Sequence, residues 1–190
     1  MLLKNTSPAL LLIDVQQGFA DSAYWGGNRN NPDAEIVCKR LLDYWRKNRW
    51  PVAHIQHAST TPESRLHPDH PGFAFHPAVT PLNGETVISK QVNSAFIGTN
   101  LKQWLDEQQI HSVVIVGLTT HHCVSTTARM SGNYGYDTYV ISDATATFDR
   151  IGINGEHYPS ELMHLTALAS LNGEFATVLD SDTLLATLEH

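Results

Sequence analysis

Hydrophobic positions fall into short unbroken runs, separated by stretches in which they recur every three or four residues. Ala9-Leu10-Leu11-Leu12-Ile13 is the first run, and it ends at a charge, Asp14. An apolar run without alternation predicts a strand covered on both faces. Val52-Ala53-His54-Ile55-Gln56 predicts a second strand, Thr86-Val87-Ile88-Ser89 a third ending at Lys90, and Val113-Val114-Ile115-Val116-Gly117 a fourth. Thr138-Tyr139-Val140-Ile141 and Phe175-Ala176-Thr177-Val178-Leu179 predict the fifth and sixth.

Between these runs the period becomes helical. Ile36, Val37, Leu41, Leu42 and Trp45 follow a cap and first-turn proline at Asn31-Pro32. Thr99 caps a helix through Leu101, Trp104 and Leu105, and the segment from Cys123 to Tyr134 predicts another. Pro159 opens a helix carrying Leu162, Leu165, Leu168 and Ala169, closed by Gly173, and a short helix ends the chain. Strands alternating with helices imply parallel crossovers, hence an α/β fold with helices on both faces of a parallel sheet. One segment breaks the alternation. It holds Pro62, Pro68, Pro71, Pro77 and Pro81, and a loop of that length in a compact domain is usually functional.

A chain of 190 residues fits one domain, spanning 1–190. Its 12 Lys+Arg against 19 Asp+Glu lack the electrostatic footprint that nucleic acid or an anionic membrane selects for. The longest apolar stretch is far short of the ~20 residues a membrane span needs. Met1-Leu2-Leu3-Lys4 leads into no signal-peptide core, and Leu188-Glu189-His190 has the look of a truncated vector tag and is given no functional weight. Two cysteines, Cys38 and Cys123, make no disulfide framework and no C-x-x-C pair, which fits a reducing cytoplasm.

Ligands of open parallel sheets bind beyond the carboxyl ends of the strands, where three reactive groups stand. Asp14 ends the first strand and Lys90 the third, while Cys123 follows the fourth across Gly117-Leu118-Thr119-Thr120-His121-His122. If those strands are neighbours, the three converge on one edge. A helix N-terminus and a nearby cation lower a thiol's pKa from about 8.5 towards the thiolate that attacks carbonyl carbon. Asp14 can take the thiol proton and return it to a leaving amine, while Lys90 pairs with Asp14 and favours thiolate. Backbone N–H groups of the turn before and at Cys123 would face a developing oxyanion. Each residue alone also has a plainer reading. Asp14 can cap a turn, Lys90 can be a solvated charge, and Cys38, inside an amphipathic helix pattern, is a small buried hydrophobe.

Leu11-Leu12-Ile13-Asp14-Val15-Gln16, Ser89-Lys90 with Ser94-Ala95-Phe96, and Val116-Gly117-Leu118-Thr119-Thr120-His121-His122-Cys123-Val124 together resemble the three-part signature of the isochorismatase-like cysteine hydrolases. The likeness continues through Thr127-Ala128-Arg129 and Gly135-Tyr136 to Ser142-Asp143-Ala144. It implies a three-layer α/β/α sandwich on a six-stranded parallel sheet, doubly wound, and a homo-oligomer, dimer or tetramer. It also implies a catalytic triad of Asp14, Lys90 and Cys123. A cis peptide between Leu118 and Thr119 would turn the N–H groups of Thr119 and Cys123 into an oxyanion hole.

The resemblance separates several chemistries. Members that cleave the vinyl ether of isochorismate lack the nucleophilic cysteine, which Cys123 supplies here. Nicotinamidases bind a metal with an Asp-x-His pair after the second strand, where this chain has Gln56 and Ala58. His54, His57, His67, His70, His76, His121 and His122 form no ligand-spacing motif, so neither a metal nor another cofactor is expected. Phe19, Trp25 and Asn28, on the loop after Asp14, are expected as pocket wall, with His57 as a donor to substrate. The implied activity is hydrolysis of a non-peptide C–N bond in a small amide, ureido or N-carbamoyl compound or lactam, through a thioester on Cys123. Vinyl-ether hydrolysis, a nicotinamidase and a catalytically silent binding protein are its alternatives.

Overall fold

A computed structural model of the chain describes residues 7–189; residues 1–4 and residue 190, read above for a leader and a tail, lie outside these. In chain order the elements are β1 (Ala9–Ile13), α1 (Ser22–Trp25), α2 (Ala34–Asn48), β2 (Val52–His57), β3 (Thr86–Lys90), α3 (Leu101–Glu107) and β4 (Ser112–Leu118). They continue with α4 (Ser125–Asn133), β5 (Asp137–Ala146), β6 (Arg150–Ile151), β7 (His157–Tyr158), α5 (Ser160–Leu171), β8 (Thr177–Leu179) and α6 (Ser181–Glu189).

Six strands form one parallel sheet in the order β3-β2-β1-β4-β5-β8. The order runs outward from β1 to β3, then reverses across β1 to β4. The crevice where connections leave in opposite directions is where such sheets bind ligands. Helices cover both faces. Leu11 and Ile13 of β1 join a core with Leu101, Leu105, Val124 and Leu168, while Leu10 and Leu12 join another with Leu41, Leu42, Trp45 and Leu184. Leu188, in the stretch taken for a tag, packs against the second core. Among the described residues no helix is long and apolar enough to cross a membrane.

The structure corrects several local expectations. Asn31 does not cap α2: its φ is 42°, and its amide donates to the Ser142 and Thr145 carbonyls at 2.9 and 2.8 Å. Ile36 lies on the exposed face of that helix, as Leu162 and Leu165 do on α5. β5 continues past Ile141 through polar Ser142-Asp143, because Asp143 is held by the Ser181 backbone N–H at 2.8 Å at the start of α6. The proline-rich loop contains two short 3-10 turns, Pro71–Phe73 and Pro77–Val79. His70 and His76 accept backbone N–H bonds at these turns, and His67 accepts one from Asp69, so all three serve local turn structure.

Gly117 brings β4 close to β1. Its φ is 114°, and a Cβ there would lie 2.0 Å from the carbonyl oxygen of Ile13, its register partner. The contact fixes the residue before Asp14 against the segment leading to Cys123. Gly117→Ala is predicted to destabilise the fold by about 3 kcal/mol through left-handed strain and overlap. Urea unfolding followed by circular dichroism measures it, and a midpoint equal to the parent's would contradict this account.

Candidate active site

Asp14 terminates β1 with φ 52°, a left-handed conformation that Asp tolerates better than most residues. The turn is fastened on both sides, by Asp14 N donating to the Ile55 carbonyl at 2.9 Å and Gln16 N to the Asp14 carbonyl at 2.8 Å. Gln16 then clamps β2: its Oε1 accepts the His57 N–H at 2.8 Å, and its Nε2 donates to the Phe73 carbonyl at 2.8 Å.

Lys90 ends β3, two strands from β1, so strand adjacency does not bring it to Asp14. Its long side chain does so, reaching across the end of β2, where His57 is its register partner. The ammonium donates to Asp14 Oδ2 at 2.7 Å, His57 Nδ1 at 2.9 Å and Cys123 Sγ at 3.3 Å. Neither the Lys90 nor the Asp14 side chain has exposed surface. Asp14 Oδ1 is buried without a hydrogen-bond partner. Because Nδ1 of His57 accepts from the ammonium, its ring proton stands on Nε2. Burial, with the Lys90 charge, holds His57 below the usual imidazole range.

Cys123 lies in the first turn of a helical segment that begins as a π-turn, Thr120–Val124, and continues as α4. The peptide before Thr119 is cis. Proximity to a helix start and to Lys90 led to the expectation of a thiolate, and the structure corrects it. Burial above all, then the Asp14 charge, push the Cys123 thiol well above its ordinary range, and Lys90 only partly offsets them. The resting group is a thiol beside a carboxylate. Cys38 is fully buried, its thiol raised by burial and directed to the Ala144 carbonyl at 3.3 Å.

A cavity of ≈ 250 Å³ opens over Cys123. Phe19 and Trp25 line it, with ring centroids 4.6 Å apart, and Phe148 stands 6.2 Å from Phe19. Asn28 does not line it: its amide turns instead to Asp149 and Ser160, at 3.3 and 3.0 Å. Ser59, Thr61, Ser64 and Leu66 bring the proline-rich loop to the cavity, and Asn93 places Oδ1 3.9 Å from Cys123 Sγ. Phe148, Asn93 and Arg150 also line it and were not foreseen from sequence; none belongs to a run or spacing that marks it.

Asp14, His57 and Cys123 form the one cluster of metal-ligating type found among the described residues. All three face the Lys90 ammonium, so a divalent cation does not fit beside them. Gln56, at the position of the nicotinamidase pair, is engaged with the Phe73 carbonyl at 2.8 Å, and His54 with Glu85 at 2.9 Å.

Fold and site together describe an enzyme of the doubly wound α/β class, with a buried thiol at its switch point. The family model for the Isochorismatase domain matches residues 8–183. An uncharacterised isochorismatase family protein of Bacillus subtilis, YrdC, is 49% identical, covering 93% of this chain and 94% of its own. A crystal structure of an isochorismatase-family protein from Chromobacterium violaceum superposes with a TM-score of 0.93 at 42% identity, covering 97% of this chain and 95% of that one. Nicotinamidase 3 of Arabidopsis thaliana is 31% identical, covering 95% of this chain and 88% of its own. The chain belongs to the isochorismatase family, whose members are hydrolases.

Removing the Asp14 charge leaves Lys90 unopposed beside the sulfur, so Asp14→Asn is predicted to raise thiolate content at Cys123. Iodoacetamide labelling near neutral pH, read by peptide mass spectrometry, should accelerate at Cys123 in the variant while Cys38 stays unlabelled in both proteins. Slower labelling of Cys123 in Asp14→Asn would show that the carboxylate promotes the thiol's reactivity as its base more than its charge suppresses thiolate, and would overturn this prediction.

Proposed function

We propose that this chain is a cysteine amidohydrolase. It cleaves a non-peptide C–N bond in a small amide, ureido or N-carbamoyl compound or lactam. The observation that carries this reading is the division of Asp14: Oδ2 is held by Lys90 at 2.7 Å, while Oδ1, buried, has no partner. An unpaired carboxylate oxygen beside a protonated thiol is the arrangement a general base needs.

In the first half-reaction the Cys123 sulfur attacks the carbonyl carbon as its proton passes to Asp14. The S–C bond forms and the carbonyl π pair moves to oxygen, where the N–H groups of Thr119 and Cys123 receive it. Collapse expels the amine, which takes the proton from Asp14 and leaves a thioester. Water then attacks the thioester carbon and gives its proton to Asp14. The second tetrahedral intermediate expels sulfur, which recovers that proton, and the acid is released. Lys90 keeps its charge throughout, holding Asp14 in place and lying within 3.3 Å of the sulfur during each departure. His57 Nε2–H is available to the substrate. The cavity volume suits a molecule of few heavy atoms, since drug-sized ligands occupy about 300–1,000 Å³.

The test is a panel of small amides, ureides and lactams, reading ammonia or amine release. Cys123→Ala is expected to abolish turnover, and Asp14→Asn and Lys90→Ala each to lower it by about 10²–10⁴-fold. Circular dichroism controls for folding. Turnover that survives Cys123→Ala would move the reading to non-covalent hydrolysis.

A second expectation concerns metals. Because the ammonium of Lys90 stands among the ligand-type atoms, dialysis against a strong chelator should leave the rate unchanged. Activity that is lost on dialysis and restored by zinc would place a metal at His57 and overturn the proton path through Asp14.

A further inference from the structure

Asn-Gly-Glu stands at residues 83–85, 154–156 and 172–174, each time after a leucine or isoleucine. Leu82-Asn83-Gly84-Glu85 and Leu171-Asn172-Gly173-Glu174 are the same four residues, and Ile153-Asn154-Gly155-Glu156 differs only in where one methyl group sits. An asparagine before glycine is prone to close on itself. With no side chain in the way, the glycine backbone nitrogen can reach the asparagine side-chain carbonyl carbon. Local sequence therefore gives the three sites the same intrinsic reactivity. Sterics do not separate them either: all three pairs are exposed, the glycines have φ of 92°, 88° and 83°, and open space lies where a Cβ would stand on each.

Hydrogen bonding does separate them. Asn172 Oδ1 accepts the Val178 N–H at 3.0 Å, and the Gly173 N–H donates to the Ala176 carbonyl at 2.9 Å. Asn154 Nδ2 donates to Glu156 Oε1 at 2.8 Å, and the Gly155 N–H to the Gly152 carbonyl at 3.1 Å. At both sites the carbon to be attacked and the attacking nitrogen are tied to different groups, and both ties must open before a ring can close. Asn83 and Gly84 instead form the corner of a turn that their neighbours hold. The Glu85 N–H donates to the Leu82 carbonyl at 3.0 Å, and Glu85 Oε2 accepts the Leu82 N–H at 2.8 Å. Among the described residues neither the Asn83 side chain nor the Gly84 N–H has a partner.

We propose that Asn83 is the chain's site of spontaneous deamidation, and that the product weakens the clamp formed by Glu85. Hydroxide takes the Gly84 amide proton, and the nitrogen attacks Cγ of Asn83. The N–C bond forms, the Cγ–Nδ2 bond breaks, and the amino group leaves as ammonia with a proton from water, restoring hydroxide. Water then opens the succinimide at either carbonyl, giving aspartate or an isoaspartate whose chain runs through the side-chain carboxyl. In sum, one water enters and one ammonia leaves. The isoaspartyl form adds a charge and a backbone methylene beside Glu85. That carboxylate takes Arg46 of α2 through Nε at 2.7 Å and Nη2 at 2.8 Å, and meets His54 Nε2 of β2 at 2.9 Å. The change falls at the entry to β3, at the other end of the strand from Lys90.

The full chain is kept folded at mildly alkaline pH, and peptide mass spectrometry follows the three sites, with an isoaspartyl-specific methyltransferase marking the rearranged product. Asn83 is expected to convert about tenfold faster than Asn154 or Asn172, the factor set by the hydrogen bonds those two must open. In urea the three sites should convert at comparable rates. Glu156→Ala, which frees the Asn154 amide, should raise conversion there and leave Asn83 as it was. Asn83→Gln should remove the fast phase without moving the unfolding midpoint. Folded chain in which Asn83 is no faster than the other two overturns the proposed site, as does the same ranking persisting in urea. The isoaspartyl fraction should unfold at lower urea than the parent while Cys123 labels at the parent's rate. An unchanged midpoint overturns the claim on the clamp.

Discussion

An ammonium and a carboxylate, both without exposed side-chain surface, meet at 2.7 Å beneath the cavity, and the arrangement of the site depends on that pair. Taking two ions out of water costs several kcal/mol each, so such a pair persists only with close contact and further hydrogen bonds. Lys90 has three N–H donors and three neighbours to receive them: Asp14 Oδ2, His57 Nδ1 and Cys123 Sγ. Each contact removes a freedom from a different strand end. One oxygen of Asp14 is anchored while the other has no partner, one imidazole tautomer is selected, and the sulfur is held beside the same ammonium.

The same pair explains why the thiol rests protonated. A lysine 3.3 Å from a sulfur ordinarily favours thiolate, but here its charge is largely balanced by Asp14. The field left at the sulfur is small, and burial decides the outcome in favour of the neutral form. In the proposed reaction the nucleophile is therefore made during attack, when substrate supplies an electrophile and the N–H groups of the turn supply somewhere for charge to go. A buried thiol in that state reacts slowly with adventitious oxidants and alkylating agents, since these require thiolate.

How legible this was in the sequence depended on whether a feature is local. Each strand core was visible as an apolar run because a strand buried on both faces has no alternation to obscure it. Asp14, Lys90 and Cys123 were visible because they stand where such runs end. What connects them was not. Nothing in the spacing says that β2 lies between β1 and β3, or that Lys90 reaches across it beside His57. The charge state of Cys123 also escaped, because it is the balance of burial against two opposed charges brought together from three strand ends. Asn28 looked like wall because it follows Phe19 and Trp25 closely, yet its amide faces Asp149, far along the chain. His67, His70 and His76 resembled scattered ligands and proved to be local acceptors for turns.

The residues hidden from sequence reasoning belong mostly to one half of the site, and the fold gives a reason. The groups proposed to make and break bonds come from strand ends, whose positions are fixed by two packed cores and by the contact of Gly117 with Ile13. Groups that line the rest of the cavity come from the loop after β1, the proline-rich loop and the β6–β7 hairpin. The hairpin has two residues in each strand and pairs with no strand of the main sheet, so it is held chiefly where Asp149 meets Ser160, His157 and the Asn28 backbone. A change beyond that fastening alters what stands opposite the nucleophile without disturbing Lys90, Asp14 or the thiol. The proposed proton path and the wall of the cavity therefore have separate structural supports.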